Sequence, residues 1–231
     1  MSQEPDSRVE SLIPPQPIPE GAQAFSKQVH SLLDGRPKDD ATVAKAFDGM
    51  DDMFDRIAAG LYTLASMLVG EGEESVRLVE KAVATTEVSP CDDPLQARKR
   101  CRTALCGAAL DTIVRRDAGS LAAPQGFEAA GGCIEEDDLE SAGVSREELE
   151  RMIAGPDRDR VRQWLAQLST ELRTVFVLRA VAGFTAAETA GMLAGHGGER
   201  AAGWTAQAVR ELFRQALCSL ASQLIQNSAA R

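Results

Sequence analysis

Apolar residues recur every three or four positions over long parts of the chain, and this spacing is typical of amphipathic α-helices. The longest stretch covers residues 40–69, where the apolar positions are Phe47, Met50, Phe54, Ile57, Leu61, Leu64 and Leu68. Its acidic residues lie mainly off that face, and they are Asp48, Asp51, Asp52 and Asp55. The pattern predicts one long helix whose acidic side is either solvated or turned towards a basic partner.

Two shorter helices are predicted next. Residues 73–88 begin with Glu73 and Glu74, and acidic side chains in a first turn complement the helix dipole. We expect the buried stripe of this helix to be Val76, Val79 and Val83, with Leu78 beside it. Residues 93–116 begin with Asp93 and Pro94, which are favoured at the N-cap and the first helical position.

The last third of the chain predicts three helices in close succession. The first opens at Ser169 and stops at Gly183, because glycine readily adopts the left-handed turn after a helix. The second begins at Thr185, and Glu188 completes a capping box three residues later. The third begins at Thr205 and buries Val209, Leu212, Phe213, Ala216, Leu217, Leu220 and Leu224. This layout is typical of a helix-turn-helix DNA reader.

An acidic linker is predicted to join two small helical domains. Residues 118–156 hold two basic and nine acidic residues, a net charge of −7 within a total of −10. Residues 157–231 hold nine basic and six acidic residues, a net charge of +3, and form the only positive segment. The acidic run from Glu135 to Asp138 indicates a solvated, flexible linker. Inside the linker, Ser145 and Glu148 form a capping box that predicts a short helix up to Ala154.

Four segments follow from these patterns. They are a Pro-containing extension (1–39), a first helical domain (40–117), the acidic linker with its short helix (118–156) and a helix-turn-helix domain (157–231). Few aromatic residues and many Ala, Leu and Val residues agree with an all-α fold of closely packed helices.

Composition excludes several classes of protein. No apolar run approaches the roughly 20 residues that cross a bilayer, and the N-terminus lacks a signal-peptide pattern, so we expect a cytoplasmic protein without a membrane span. The five cysteines show no metal or disulfide spacing and are interpreted as reduced thiols. His30 and His196 are isolated in the sequence. The sequence contains no catalytic, phosphate-binding or zinc motif, so we expect no enzymatic activity, cofactor or metal.

The C-terminal stretch resembles the promoter-reading domain of bacterial sigma factors, especially the extracytoplasmic-function type. The matching residues are Leu168–Ser169, Glu171–Leu172–Arg173, Val175–Arg179, Gly183–Phe184–Thr185, Ala187–Ala190 and Val209–Arg210. A second stretch, from Phe54 to Arg116, is similar to the polymerase-binding domain of that family. Its matching residues are Leu61–Leu68, Gly70, Glu73–Glu74, Leu78–Val83, Leu110–Asp111 and Arg115–Arg116.

The resemblance implies a transcription factor that binds core RNA polymerase and promoter DNA. It implies that helix 73–88 docks on the polymerase through Arg77, Leu78, Glu80 and Lys81. It implies DNA contacts in the last helix, at Thr205, Gln207, Arg210, Glu211 and Arg214, and in helix 93–116, at Arg98, Lys99 and Arg102. It also gives the acidic run a second interpretation, as a segment that occupies a basic polymerase channel in place of nucleic acid.

Departures from the family pattern favour a second function. Residues 88–116 lack the aromatic side chains that the family places in this helix, and Glu211 and Leu212 replace its hydroxyl and basic residues. The alternative is an interaction module that keeps the fold, has lost promoter recognition and captures an anti-sigma factor or another regulator. The connection 194–203 has about ten residues, where a helix-turn-helix turn usually has three or four. An ordered connection that keeps its two helices in register favours the initiation factor, and a displaced one favours the interaction module.

Overall fold

Helices are the only regular elements in the part of the chain that the computed structural model describes, which is residues 58–86, 94–116, 121–124 and 133–229. The prediction of an all-α fold is confirmed for these residues. The N-terminal extension, the acidic start of the first long helix and the predicted N-cap Asp93 lie outside them. No helix in these ranges is long and apolar enough to cross a membrane.

Three helices form the first group. They are α1 (residues 58–69), α2 (Glu73–Thr85) and α3 (Pro94–Arg116). Gly70 and Gly72 turn the chain between α1 and α2 with φ values of 93° and 130°, which other residues adopt only with strain. Helices α2 and α3 pack against each other.

Five further helices and two 3₁₀ turns form the second group. The helices are α4 (Arg146–Ala154), α5 (Arg158–Gln167), α6 (Thr170–Phe176), α7 (Ala186–His196) and α8 (Ala206–Ala229). The 3₁₀ turns Glu140–Ala142 and Glu199–Gly203 precede α4 and α8.

Side-chain caps fix where these helices begin. Complete capping boxes at Ser145–Glu148 and Thr185–Glu188 open α4 and α7, as predicted. The hydroxyls of Ser169 and Thr205 accept backbone N–H groups at 3.3 and 3.1 Å and open α6 and α8, also as predicted. Asp157 holds the N-cap position of α5 without a capping bond. Its carboxylate pairs with Arg160 instead.

The first helix of the last third does not run unbroken to Gly183. Helix α6 ends at Phe176 and passes into a π-helical turn, Val177–Val181. Such a turn takes one more residue than an α-helical turn and shifts the register of the faces that follow. The four consecutive residues 175–178 are fully buried here. Gly183 then reverses the chain with a φ of 77°, in the left-handed conformation expected of it.

The core of the second group is built around Phe176. Its ring meets Trp164 edge-on with centroids 4.8 Å apart, and it lies 6.0 Å from the ring of Phe213. Nε1 of Trp164 donates to the hydroxyl of Ser219 at 3.0 Å, so the buried indole keeps a polar partner. Helices α6 and α7 both pack on α8, and this packing determines which side of α8 faces outwards.

The two helical groups pack on each other through α3 and α7. Arg162 of α5, with a side chain only 18% exposed, forms an ion pair with Glu71 and a 3.4 Å hydrogen bond to Ser66. The described residues of both groups belong to one compact unit. The division into two domains at the predicted boundaries remains a prediction.

The described part of the acidic linker is anchored to the helices. Ile134, Leu139 and Val144 are buried, whereas Glu135 and Asp138 are exposed. The expectation of a flexible segment is therefore wrong for residues 133–145, although most of its acidic side chains are solvated. Apolar residues interspersed with the acids provide the anchor, and burying them stabilises the packed segment.

The predicted buried stripe of α2 is wrong for Val76 and Val83, whereas Val79 is partly buried and Leu78 is buried. Val76 and Val83 are 40% and 41% exposed. The helix instead buries Ser75, Leu78 and Ala82 against its neighbours. Two of these three residues are small, and small side chains allow close approach of the helix backbones.

The interpretation of all cysteines as reduced thiols is also wrong. Cys133 and Cys218 form a disulfide, with their Cα atoms 5.8 Å apart. Cys101 and Cys106 are free and buried. Burial raises the pKa of Cys106 to about 12, so this thiol stays protonated and unreactive at neutral pH.

Candidate nucleic-acid interface

The start of α8 carries the polar residues predicted to read DNA. Thr205 caps the helix, Gln207 is exposed and Arg210 is half-buried. Oε1 of Gln207 accepts from Nε and Nη2 of Arg210 at 3.4 Å each. A guanidinium has five N–H donors, and Gln207 accepts from only two of the Arg210 nitrogens. The remaining donors of Arg210 can still bind a phosphate or a base edge.

Arg214, one turn further along α8, is held by two acceptors. Its side chain is 27% exposed and forms an ion pair with Glu211, which is 12% exposed. Its Nη1 donates to the backbone carbonyl of Glu135 at 3.0 Å. Two residues predicted to contact DNA therefore pair with each other, and the acidic run reaches the same guanidinium.

Arg179, in the π-helical turn, is the second arginine that binds the acidic run. Its Nη2 donates to the carbonyl oxygen and the carboxylate of Asp137 at 3.0 and 2.9 Å, and its Nη1 donates to the carbonyl of Phe184 at 3.1 Å. Its guanidinium carbon lies 4.9 Å from the ring centroid of Phe213 on α8, at cation–π distance. The acidic run is thus fixed beside α8 by a residue that itself packs on α8.

The long connection between α7 and α8 is ordered by buried side chains. Ala201 is fully buried and Trp204 is 6% exposed. Nε1 of Trp204 donates to the carbonyl of Leu121 at 2.9 Å, and the Leu121 backbone N–H donates to the carbonyl of Gly197 at 2.8 Å. The additional residues are therefore taken up by packing against residues 121–124, and α7 and α8 remain in contact.

The basic cluster at the start of α3 is divided between surface and interior. Arg98 and Lys99 are exposed, and Arg102 is half-buried. Burial, followed by the charge of Arg98, lowers the pKa of Arg102. Nζ of Lys99 binds Oε1 of Glu188 at 2.8 Å. That contact, with the capping bonds from Thr185, lowers the pKa of Glu188 to about 2, so Lys99 ties α3 to the start of α7.

The outer face of α2 is open. The side chain of Arg77 is 74% exposed and pairs with Glu73 at 2.8 Å, and Glu80 and Lys81 are exposed beside it. Leu78 differs from its three predicted companions because it is 6% exposed and belongs to the core. Leu78 thus has a packing role, and its polymerase contact stays a prediction.

A groove of about 840 Å³ lies between α2, α3 and the end of α7. In its wall, Nδ1 of His196 lies 3.0 Å from Oδ1 of Asp111. The imidazole packs over Gly107, where a Cβ would come within 3.0 Å of the ring. His196 thus forms a contact between α7 and α3. Among the described residues, no cluster of His, Cys, Asp and Glu could hold a metal ion.

Sequence reasoning missed three features of this interface. They are the Cys133–Cys218 disulfide, the binding of Asp137 by Arg179, and the anchoring of Trp204 to Leu121. The charge contrast between residues 118–156 and 157–231 was a signal for the second. Cysteines 85 positions apart carry no spacing that identifies them as partners.

Comparison of the chain with models of protein families, with curated proteins and with solved structures gives no match. What the chain does is therefore inferred from its own residues and contacts.

Proposed function

We propose that the chain is a sigma-like initiation factor that binds core RNA polymerase and directs it to promoter DNA. The observation that carries this proposal is the ordered connection between α7 and α8. Ala201 and Trp204 of this connection are buried. The short capped helix α7 and the longer helix α8 therefore stay in contact, as a helix-turn-helix reader requires. Gln207 and Arg210 then lie near the start of the second helix, the end with which a recognition helix contacts bases.

The face of α2 supports the polymerase half of the proposal. Val76 and Val83 are exposed two turns apart on one side of the helix, with the charged residues Arg77, Glu80 and Lys81 around them. An apolar centre with a charged rim is the composition of a protein interface. The resemblance to the polymerase-binding domain makes core RNA polymerase the partner we assign to this face.

Two of the basic residues predicted to contact DNA already have partners within the chain, and this favours a second function. Arg214 is engaged by Glu211 and Glu135, and Lys99 is engaged by Glu188. An interaction module that has lost promoter recognition would use the open face of α2 and leave these cations paired. An anti-sigma factor or another regulator would then be its partner.

A binding assay with purified components separates the two functions. The chain is titrated with bacterial core RNA polymerase, and the complex is used to select and transcribe promoter DNA, under both reducing and non-reducing conditions. Salt-sensitive promoter binding and specific transcription support the initiation factor. Failure to bind core polymerase, or binding without DNA under both conditions, contradicts it and leaves the interaction module.

Single substitutions on α8 refine this test. Arg210→Ala weakens promoter binding by about 1–3 kcal/mol if the guanidinium reads a base edge. Gln215→Ala changes an exposed position on the same helix and serves as the matched control, with unchanged affinity expected. Equal losses in both variants would assign the effect to the helix as a whole.

A further inference from the structure

The acidic run is attached to α8 by a covalent bond and by buried apolar side chains. We call residues 133–139 the strap. Its first residue, Cys133, is bonded to Cys218 of α8 across 85 residues of sequence. Ile134 is 7% exposed and Leu139 is 6% exposed, so the strap has an apolar anchor near each end.

Between these anchors the strap supplies acceptors to two guanidinium groups. The Glu135 carbonyl accepts from Arg214 at 3.0 Å, and Asp137 accepts from Arg179 through its carbonyl and its carboxylate. Guanidinium groups bind phosphate oxygens through these same N–H donors. The strap therefore occupies donors of Arg214, which is predicted to contact DNA, and of Arg179 beside it.

We propose that the strap is an autoinhibitory segment that covers part of the DNA-reading face of α8, and that the Cys133–Cys218 disulfide locks it there. The proposal rests on the proposed function, because it takes that face to be the one that binds promoter DNA. Its new content is the redox control of access to Arg214.

The disulfide decides whether DNA can compete with the strap. A crosslink keeps the acceptors of the strap at a high effective concentration beside Arg214, whatever anion is in solution. Without it, the strap is held by non-covalent contacts alone, which are two buried apolar side chains and its hydrogen bonds to Arg179 and Arg214. A phosphate backbone that engages several cations at once then displaces the strap.

The switching reaction is thiol–disulfide exchange with a dithiol reductant. A thiolate of the reductant attacks the sulfur of Cys133, which is exposed, and releases the thiolate of Cys218. The second thiol of the reductant then displaces Cys133 and closes the reductant's own disulfide. Two electrons and two protons pass to the cysteine pair, which leaves the reaction as two thiols.

The other described cysteines do not interfere with this exchange. Cys101 and Cys106 are buried, and thiols in apolar surroundings react slowly. In a reducing compartment such as the predicted cytoplasm, disulfides are usually transient and serve catalysis or redox sensing. The exposure of Cys133 and the position of its bond on α8 suit a sensing role.

The first test measures access to Arg214 without DNA. Oxidised wild-type chain and Cys133→Ser are treated with phenylglyoxal, which modifies accessible guanidinium groups, and the labelled sites are identified by mass spectrometry. Labelling of Arg214 should be roughly tenfold faster in Cys133→Ser, a factor within the usual range for coupled sites. Arg160, exposed on α5, should label equally in both, and Cys91→Ser should match the wild type.

Folding of Cys133→Ser is checked by circular dichroism. If that variant does not fold, wild-type chain that has been reduced and blocked with iodoacetamide takes its place, because Cys101 and Cys106 are protected by burial. Equal labelling of Arg214 with and without the disulfide overturns the proposal.

The second test measures binding of a fluorescent random-sequence duplex DNA. Reduced wild-type chain and Cys133→Ser should bind roughly tenfold more tightly than the oxidised chain, and Cys91→Ser should keep the redox response. If Arg214 is labelled faster without the disulfide but no form binds DNA, the proposed disulfide lock stands and the proposed DNA-binding function is contradicted. If the oxidised and reduced forms bind DNA with equal affinity, the proposed disulfide lock is rejected and the proposed DNA-binding function stands.

Discussion

The outer faces of α2 and α8 carry two of the three sets of residues predicted to contact partners, and the two faces differ in what covers them. On α2, Val76 and Val83 are exposed and Arg77 pairs only with a neighbour on its own helix. On α8, Arg214 is held by an acidic segment that is also tied to the helix by a disulfide. One face is open and the other is partly covered.

This difference separates two proposed binding events. A protein partner meets α2 without moving any described segment, because apolar side chains are already exposed there. While the strap is bound to Arg214, we expect DNA to contact α8 only at its start, near Gln207 and Arg210. The proposed polymerase contact is therefore independent of the strap, whereas full DNA contact depends on it. Substitutions that affect one face and spare the other test this independence.

The largest effect is expected at the anchor of the connection that precedes α8. Trp204→Ala should lower the free energy of unfolding by about 3–5 kcal/mol, because it removes a large buried side chain and a hydrogen bond to Leu121. Urea unfolding followed by circular dichroism measures the loss. Trp204→Phe keeps an aromatic ring but loses part of the indole together with its N–H, so it should cost less, about 1–3 kcal/mol. A loss below 1 kcal/mol in Trp204→Ala would show that the indole does not hold the connection.

The next effect concerns the open face of α2. Val83→Asp should weaken binding to core RNA polymerase by about 2 kcal/mol, the threshold of an interface hot spot, because it places a charge in the apolar centre. Its stability should change by only about 0.5 kcal/mol, since the side chain is 41% exposed. Gln163→Asp adds the same charge at an exposed position of α5 and should bind normally. Fluorescence anisotropy with labelled polymerase reports both affinities, and equal weakening by the two variants would rule out a specific apolar contact.

Helix starts could be predicted from the sequence because their causes are local. The hydroxyls of Ser169, Thr185 and Thr205 each cap a backbone N–H three residues ahead, so a short window contains the whole interaction. The same holds for the capping box of Ser145. The helices of the candidate interface and the residues on the exposed start of α8 were predictable for this reason.

The covering of that interface could not be predicted, because its causes are distant in sequence. Helix α2 offers two alternative inner faces, one with Val76 and Val83 and one with Leu78 and Ala82, and only packing against α3 selects between them. The partner of Cys133 lies 85 residues away. Periodicity describes a helix but does not say what lies against it.

A smaller effect is expected where α3 meets α7. Glu188→Ala removes the capping box of α7 and the pair with Lys99 and should destabilise the chain by about 1–2 kcal/mol. Glu188→Gln can keep the capping bonds and loses only the charge. It should cost about 1 kcal/mol or less, because the Glu188 side chain is 39% exposed and solvent screens the pair.

The pH dependence of Glu188→Gln isolates this charge. The pKa of Glu188 is about 2 in the folded chain, below its usual value of 4.5. The charged form therefore stabilises the fold fully above pH 4.5, and this contribution is lost as the pH falls from 4.5 towards 2. The difference in unfolding free energy between wild type and Glu188→Gln should shrink across that window. A constant difference would mean that the charge of Glu188 does not contribute.

The smallest effect on stability is expected at Arg77, on the rim of the open face. Arg77→Ala removes an ion pair with Glu73 in which both side chains are largely exposed, so the free energy of unfolding should change by about 0.5 kcal/mol or less. If this rim guides docking, the association rate with core polymerase should fall and depend less on salt, because charges outside an apolar centre act mainly on the rate of encounter. Stopped-flow mixing at two ionic strengths measures the rate.

Arg160→Ala is the matched control for Arg77, since it removes a similarly exposed pair with Asp157 on α5. Both variants should be equally stable, and only Arg77→Ala should slow association. That result would show that core polymerase first contacts the chain at α2, and that the slower association is not caused by a loss of stability. A rate unchanged in both variants would mean that the charges around Val76 and Val83 play no part in docking, and the open face would then depend on its apolar residues alone.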